Sequence, residues 1–128
     1  MDNNELNDLT GNIIGAAIEV HRYLGPGLLE HTYRKALLHE LRQRGLSAAT
    51  EVSIPIIYKG ELIDAAYRAD IIVKNQIILE LKSTEKDNPL YLKQLLTYLR
   101  LSNKKLGLLI NFNRKILKEG IVRVVNDL

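Results

Sequence analysis

Asp70, Glu80 and Lys82 stand in the pattern D-x9-E-x-K, and the residues around them alternate apolar and polar as strands with one buried face do. Lys74-Asn75-Gln76, between the two acids, is a turn candidate. A turn centred on Asn75 sets Asp70 opposite Glu80 and Arg68 opposite Lys82, with opposed side chains about 5 Å apart on one face. Two carboxylates held in this way raise each other's pKa unless a cation intervenes. Oxygen donors suit Mg²⁺ (or Mn²⁺), and Mg²⁺ is commonly held by one or two carboxylates together with substrate phosphate. Lys82 points to the same face as Glu80, where an ammonium can orient a water or offset charge developing on phosphorus. The chemistry that follows is metal-assisted phosphodiester hydrolysis. A salt-bridged, solvated face is the competing reading, and spacing alone does not separate the two. The pattern is loose, and a slip of one residue would undo the pairing.

The elements that must position these residues are legible around them. A hairpin turning at Lys59-Gly60 puts Glu51 opposite Arg68. One face then gathers Glu51, Arg68, Asp70, Glu80 and Lys82, which makes Arg68 and Glu51 candidates for substrate contact. The other face carries Val52, Ile54, Ile56, Ala69, Ile71, Val73, Ile77, Leu79 and Leu81 and must pack on helices. The strands expected are 50–58, 61–73 and 77–82. Before them, Leu6, Leu9, Ile13, Ala16, Ala17, Val20 and Leu24 form one helical stripe, with Asp8 or Thr10 as its cap and Gly25-Pro26-Gly27 as its end. A second helix is expected over about 28–44, closed by Gly45. Asn88-Pro89 starts a third, with Leu92, Leu95, Leu96 and Leu99 on its buried side. Residues 106–112 read as a strand buried on both faces, and 121–125 as an edge strand. The order α-α-β-β-β-α-β-β predicts a mixed sheet with helices on its faces.

A length of 128 residues fits one domain, 1–128. Cysteine is absent, which excludes disulfides, zinc-thiolate sites and thiol catalysis. No stretch approaches the run of about 18 apolar residues of a membrane span. The start, MDNNELNDLT, resembles neither a secretory signal nor a transit peptide, so a cytoplasmic protein is expected. Lys plus Arg number 18 against 15 Asp plus Glu, a net charge of +3 that is compatible with a polyanionic partner and with many other roles. The six tyrosines are dispersed, so no aromatic stacking platform is expected, and no large exposed apolar stripe announces a protein partner. His21, His31 and His39 lack metal-ligand spacing. Ser83 and Thr84 lack a base partner, and Gly25-Pro26-Gly27 lacks the lysine of a phosphate loop.

Gly27-Leu-Leu-Glu30-His-Thr-Tyr33 matches the motif G-x-x-E-x-x-Y. With Tyr67-Arg-Ala-Asp70, Ile78-Leu-Glu80-Leu-Lys82, Gln94-Leu-Leu-Thr-Tyr98 and Gly107-Leu-Leu-Ile-Asn-Phe112, the sequence resembles, in order and through almost its whole length, the GxxExxY protein family, a branch of the PD-(D/E)XK nuclease-like superfamily. The resemblance implies a restriction-endonuclease-like α/β/α sandwich with a mixed central sheet, and a Mg²⁺-dependent nuclease acting on nucleic acid, foremost DNA. It implies that Glu30 supports the metal site from a helix, that Asp70 and Glu80 are metal ligands and that Lys82 is the catalytic lysine. Gln94 and Tyr98 match the Q-x-x-x-Y element that lines such sites; without the resemblance they are a partly exposed helix face. The proline that names the superfamily is replaced by Ala69, a point at which the GxxExxY branch is similar. The alternative is a non-catalytic nucleic-acid-binding or protein-interaction module on the same fold. A homodimer would give so small a domain the surface to hold a duplex.

Overall fold

The computed structural model describes residues 1–63 and 67–128. Helix α1 (Asn3–Leu24) buries the expected stripe from Leu6 to Val20. Its cap is Asp2, not Asp8 or Thr10. The Asp2 carboxylate accepts the Glu5 amide at 2.8 Å and the Glu5 side chain answers at the Asp2 amide, a capping box. The helix therefore starts before its apolar stripe does, and Thr10 lies inside it, donating to the Leu6 carbonyl at 2.8 Å. Gly25 at φ +68° ends α1, and α2 (Glu30–Gln43) closes before Gly45 at φ +76°. Among the described residues no helix is long and apolar enough to cross a membrane.

Five strands form the central sheet in the order β1 (Ala48–Ser53), β4 (Arg68–Val73), β5 (Ile77–Lys82), β6 (Leu106–Asn111), β7 (Ile121–Val125). Among the described residues only β5 and β6 run parallel, joined by the crossover helix α3 (Pro89–Ser102). Asn88 caps α3 by accepting the Leu90 amide at 3.0 Å. Helices α1 and α2 cover one face, packing on Ile71, Val73, Leu79, Leu81 and Ile110; α3 covers the other, packing on Ile72, Ile78 and Leu109. The result is the expected α/β/α sandwich with a mixed sheet, and β6, an interior strand, is buried at every position. The buried side of α3 is Leu95, Tyr98 and Leu99; Leu92 and Leu96 are only half-buried.

Three expectations need correction. Residues 50–58 are not one strand, because Pro55 cannot donate to a ladder and breaks it. Beyond it, β2 (Ile56–Tyr58) pairs with β3 (Glu61–Ile63) as a separate ribbon, turning at Lys59 (φ +47°) and Gly60 (φ +80°). The expected strand 61–73 is seen as β3 and β4, and 64–66 lie outside the described residues. Second, β1 joins β4 in a different register, Thr50 facing Ile71, Val52 facing Ala69 and Ser53 facing Arg68. That brackets Glu51 against Asp70, so the expected Glu51–Arg68 pair is not formed. Glu51 itself takes φ +51°. Past this twist the pattern changes face: Val52, Ile54 and Ala69 pack with α3, not under α1 and α2. Third, the ribbon exposes Ile57, Tyr58, Leu62 and Ile63, an apolar surface that the alternation did not reveal.

Candidate active site

Strands β4 and β5 pair in the register read from the sequence, Val73 with Ile77, Ile72 with Ile78 and Ile71 with Leu79. Lys74 (φ +50°) and Asn75 (φ +57°) make the turn between them. The ladder stops one pair short of the acids, and side chains take over. The Asp70 amide donates to Glu80 Oε1 at 3.1 Å, and the Leu81 amide donates to Asp70 Oδ2 at 2.8 Å. Each carboxylate is thus locked by an amide of the opposite strand.

Burial dominates the electrostatics. Glu80 is only 5 % exposed. Desolvation, then the charge of Asp70, pushes its carboxyl up to about 8, with Glu30 adding to the rise against the Asp70 amide and Lys82. Asp70 is raised as well, again chiefly by burial, opposed by the Leu81 amide, Lys82 and Arg34. Among the described residues no cation stands within ion-pair distance of either acid. Lys82, half-buried, places Nζ 4.5 Å from the centroid of the Tyr91 ring, a cation–π contact.

The segment before α2 is tied to this centre. The buried Tyr33 donates its hydroxyl to the Gly25 carbonyl at 2.5 Å and accepts the Leu28 amide at 3.1 Å, while its ring stacks on Phe112 at 4.4 Å. Gly27 takes φ +93° within that turn. Ser83, next after Lys82, donates to the Leu28 carbonyl. Turn, tyrosine and strand end together set Glu30 at the start of α2, within electrostatic reach of Glu80. The glycine, glutamate and tyrosine of the motif therefore have separate physical tasks.

From the other side, α3 brings Tyr98, whose pKa is raised by burial and then by Glu80, Asp70 and Tyr67. Gln94, one turn earlier, is exposed and lines a groove of about 580 Å³ with Lys82, Tyr91 and Tyr98. Of the candidates named from the sequence, Asp70, Glu80, Lys82 and Tyr98 converge, Glu30 approaches and Gln94 sits at the rim. Arg68 and Glu51 do not form the pair expected of them: Arg68 is exposed across from Ser53, and Glu51 is held by Arg34 at 3.2 Å.

Sequence reasoning missed several neighbours. Arg34 gave no signal, because its role depends on how α2 crosses β1. Asn111, beside Lys82 in the parallel ladder, is 2 % exposed. Its side chain donates to the Thr84 carbonyl and Asp87 and accepts the Thr84 and Asn113 amides. Arg114 donates to Asp87 at 2.6 Å and to the Thr84 carbonyl at 3.0 Å, and its own carbonyl meets His21 Nε2 at 2.7 Å. This network fixes the loop from Lys82 to α3. One polar residue ending an otherwise apolar strand was the available clue. The tyrosines judged dispersed also meet: Tyr67, Tyr91 and Tyr98 line the same groove.

The donor set fits a hard divalent cation, since the buried Glu80 and half-buried Asp70 are interlocked with no counter-charge in contact among the described residues. Among the described residues no group of three His, Cys, Asp or Glu side chains stands ready to hold an ion. The protein would supply the two carboxylates, Asp70 and Glu80, and leave the remaining positions to water and phosphate, as Mg²⁺ favours.

Comparison with curated proteins gives no match. Among solved structures, the crystal structure of SSO0001 is similar, with a TM-score of 0.57 and 25% identity over 77% of this chain and 51% of that one; the chain spans about half the length of that protein. The family model of the PD-(D/E)XK nuclease superfamily matches residues 7–124, from α1 into β7. With both acids and the lysine carried at one end of the β4–β5 hairpin inside that match, the chain belongs to the PD-(D/E)XK nuclease superfamily.

Proposed function

We propose that this protein is a Mg²⁺- or Mn²⁺-dependent nuclease of the GxxExxY branch that hydrolyses phosphodiester bonds in DNA, with Asp70, Glu80 and Lys82 as its reacting centre. The observation that carries this is the interlocked pair: two acids fixed by each other's strands near the Lys82 ammonium, with no ion pair to either among the described residues. Bare carboxylates weaken the approach of a polyanion, whereas carboxylates that hold a metal draw its phosphate in. Bound there, the cation supplies Lewis-acid polarisation of the phosphoryl group and an acidified water. Asp70 and Glu80 hold their orientation before substrate arrives, so little reorganisation is required at the moment of reaction. The Lys82 ammonium offsets charge gathering on the phosphoryl oxygens. Tyr98, its hydroxyl kept protonated, is a donor facing the acids, and Glu30 adds negative charge that favours cation capture. Gln94 contacts substrate at the rim of the groove, and Arg68 is free to meet its backbone. Residues 1–128 act as one domain, in the cytoplasm, where the lack of cysteine is at home, and pair as a homodimer on the nucleic acid.

The test is incubation with plasmid and with DNA and RNA oligonucleotides, with Mg²⁺ or Mn²⁺, beside an Asp70→Asn control that keeps an oxygen for the Leu81 amide. Metal-dependent cleavage of DNA that disappears in the control supports the enzyme. Metal-independent binding without cleavage, unchanged or tightened in the control, replaces it with a binding module.

A further inference from the structure

Tyr67, Tyr91 and Tyr98 are remote in sequence, yet they line one groove beside Lys82. The Tyr67 and Tyr98 rings meet at 5.9 Å, tilted by 56°, while Tyr91 carries the Lys82 ammonium. Tyr98 is buried, but Tyr67 is 41% exposed, so an aromatic ring is presented to solvent beside the reacting centre. The volume of about 580 Å³ is that of a small-ligand pocket. Among the described residues its charged lining is cationic, Lys82 and Lys93, and the Gln94 amide offers both donor and acceptor.

We infer that this groove receives an unpaired nucleobase of the strand whose phosphate lies at Lys82, so that the substrate is single-stranded or carries an unpaired end. The inference rests on the nuclease reading of the site. A base inside a duplex has both faces covered by its neighbours and can present neither to a tyrosine. An unpaired base stacks on any aromatic wall whatever its identity, because every base has a π-face. The lysines complement the adjoining phosphates, and Gln94 can meet a base edge without demanding one sequence. Continuity supplies the last argument: Lys82 belongs at once to the groove and to the reacting centre, so the strand entering one passes the other.

Binding of fluorescein-labelled oligonucleotides, followed by anisotropy in EDTA, tests this without cleavage. Tyr67→Leu should weaken binding of a single strand about tenfold or more, the size of one base–aromatic stack, and leave a blunt duplex unchanged. Tyr67→Phe, which keeps the ring, should bind the single strand as the natural protein does. Removing one base in turn along the strand should cost the unaltered protein a similar factor at one position, a measurement that needs no variant to fold, and should cost Tyr67→Leu nothing more there. Equal losses on single strand and duplex, no loss at all, or no position sensitive to base removal overturns the groove assignment. Selective binding without metal-dependent cleavage sustains the groove and overturns the nuclease reading; cleavage without selective binding does the reverse.

Discussion

Replacing Glu80 with glutamine should make the metal-free protein more stable while abolishing its capacity for metal-dependent chemistry. In the fold this carboxyl sits at about 8 against an ordinary 4.5. The folded state therefore binds the proton more tightly than the unfolded chain does. Stability that is fully present below about pH 4.5 is lost as pH rises toward 8. At about 1.4 kcal/mol for each pH unit of that gap, full ionisation costs up to about 5 kcal/mol; relaxation and water entry reduce this toward ~2 kcal/mol. Glutamine never ionises. Its carbonyl oxygen can still accept the Asp70 amide, and its NH₂ can donate to the Asp70 carboxylate. Urea unfolding in EDTA should then show the two proteins nearly equal at pH 4.5, with the variant gaining through neutrality to pH 8.5. Adding Mg²⁺ should raise the midpoint of the natural protein only. A stability difference that does not grow with pH, or a variant less stable at pH 8.5, would refute the claim that Glu80 is held as an uncompensated buried acid.

Other outcomes follow from the same contacts. Lys82→Met should reduce single-turnover cleavage at least about a hundredfold while shifting unfolding free energy by no more than about 1 kcal/mol, the size of the lost Tyr91 contact, since Lys82 makes no ion pair among the described residues. Mg²⁺ at a hundred times its Kd should stabilise the protein by about 2.7 kcal/mol, read as a rise in Tm that Asp70→Asn lacks. Tyr33→Phe should cost about 1 kcal/mol in urea unfolding, because the Gly25 carbonyl and the Leu28 amide both lose the hydroxyl. Asn111→Ala should cost more, about 2–3 kcal/mol, since the Thr84 and Asn113 amides are left without their shared acceptor.

What was legible in the sequence was local. The Asn75 turn and the β4–β5 register follow from alternation over a short hairpin, in which one wrong step would bury charges, so the facing of Asp70 and Glu80 was fixed by nearby residues. Asn88-Pro89 announced α3 because cap and first-turn proline are adjacent. The β1–β4 register was not legible, because Pro55 diverts the chain into a separate β2–β3 ribbon, so no tight turn sets how the two strands pair. Nor was the change of face after Glu51, where a positive φ in a charged residue has no compositional mark. The same limit hid the tyrosine groove: Tyr67 precedes β4 while Tyr91 and Tyr98 lie on α3, so only the packing of α3 on the sheet brings them together.

The splitting of β4 from β5 at the acids joins fold to chemistry. A regular ladder would give the Asp70 and Leu81 amides carbonyl partners; here carboxylate oxygens accept them instead. One oxygen of each acid, Glu80 Oε1 and Asp70 Oδ2, is committed to holding the strands. No other hydrogen bond to either carboxylate occurs among the described residues, so one oxygen of each remains for a ligand. The acids are consequently structural and chemical at once, and alanine at either position confuses the two roles by orphaning a backbone amide. Asparagine at 70 and glutamine at 80 keep the strand contact and remove the charge. If these amide variants fold with gains in stability yet lose metal-induced stabilisation, the buried charge serves binding at the expense of folding; if they unfold like the alanine variants, the carboxylates are there to close the sheet, and the chemistry must lie elsewhere.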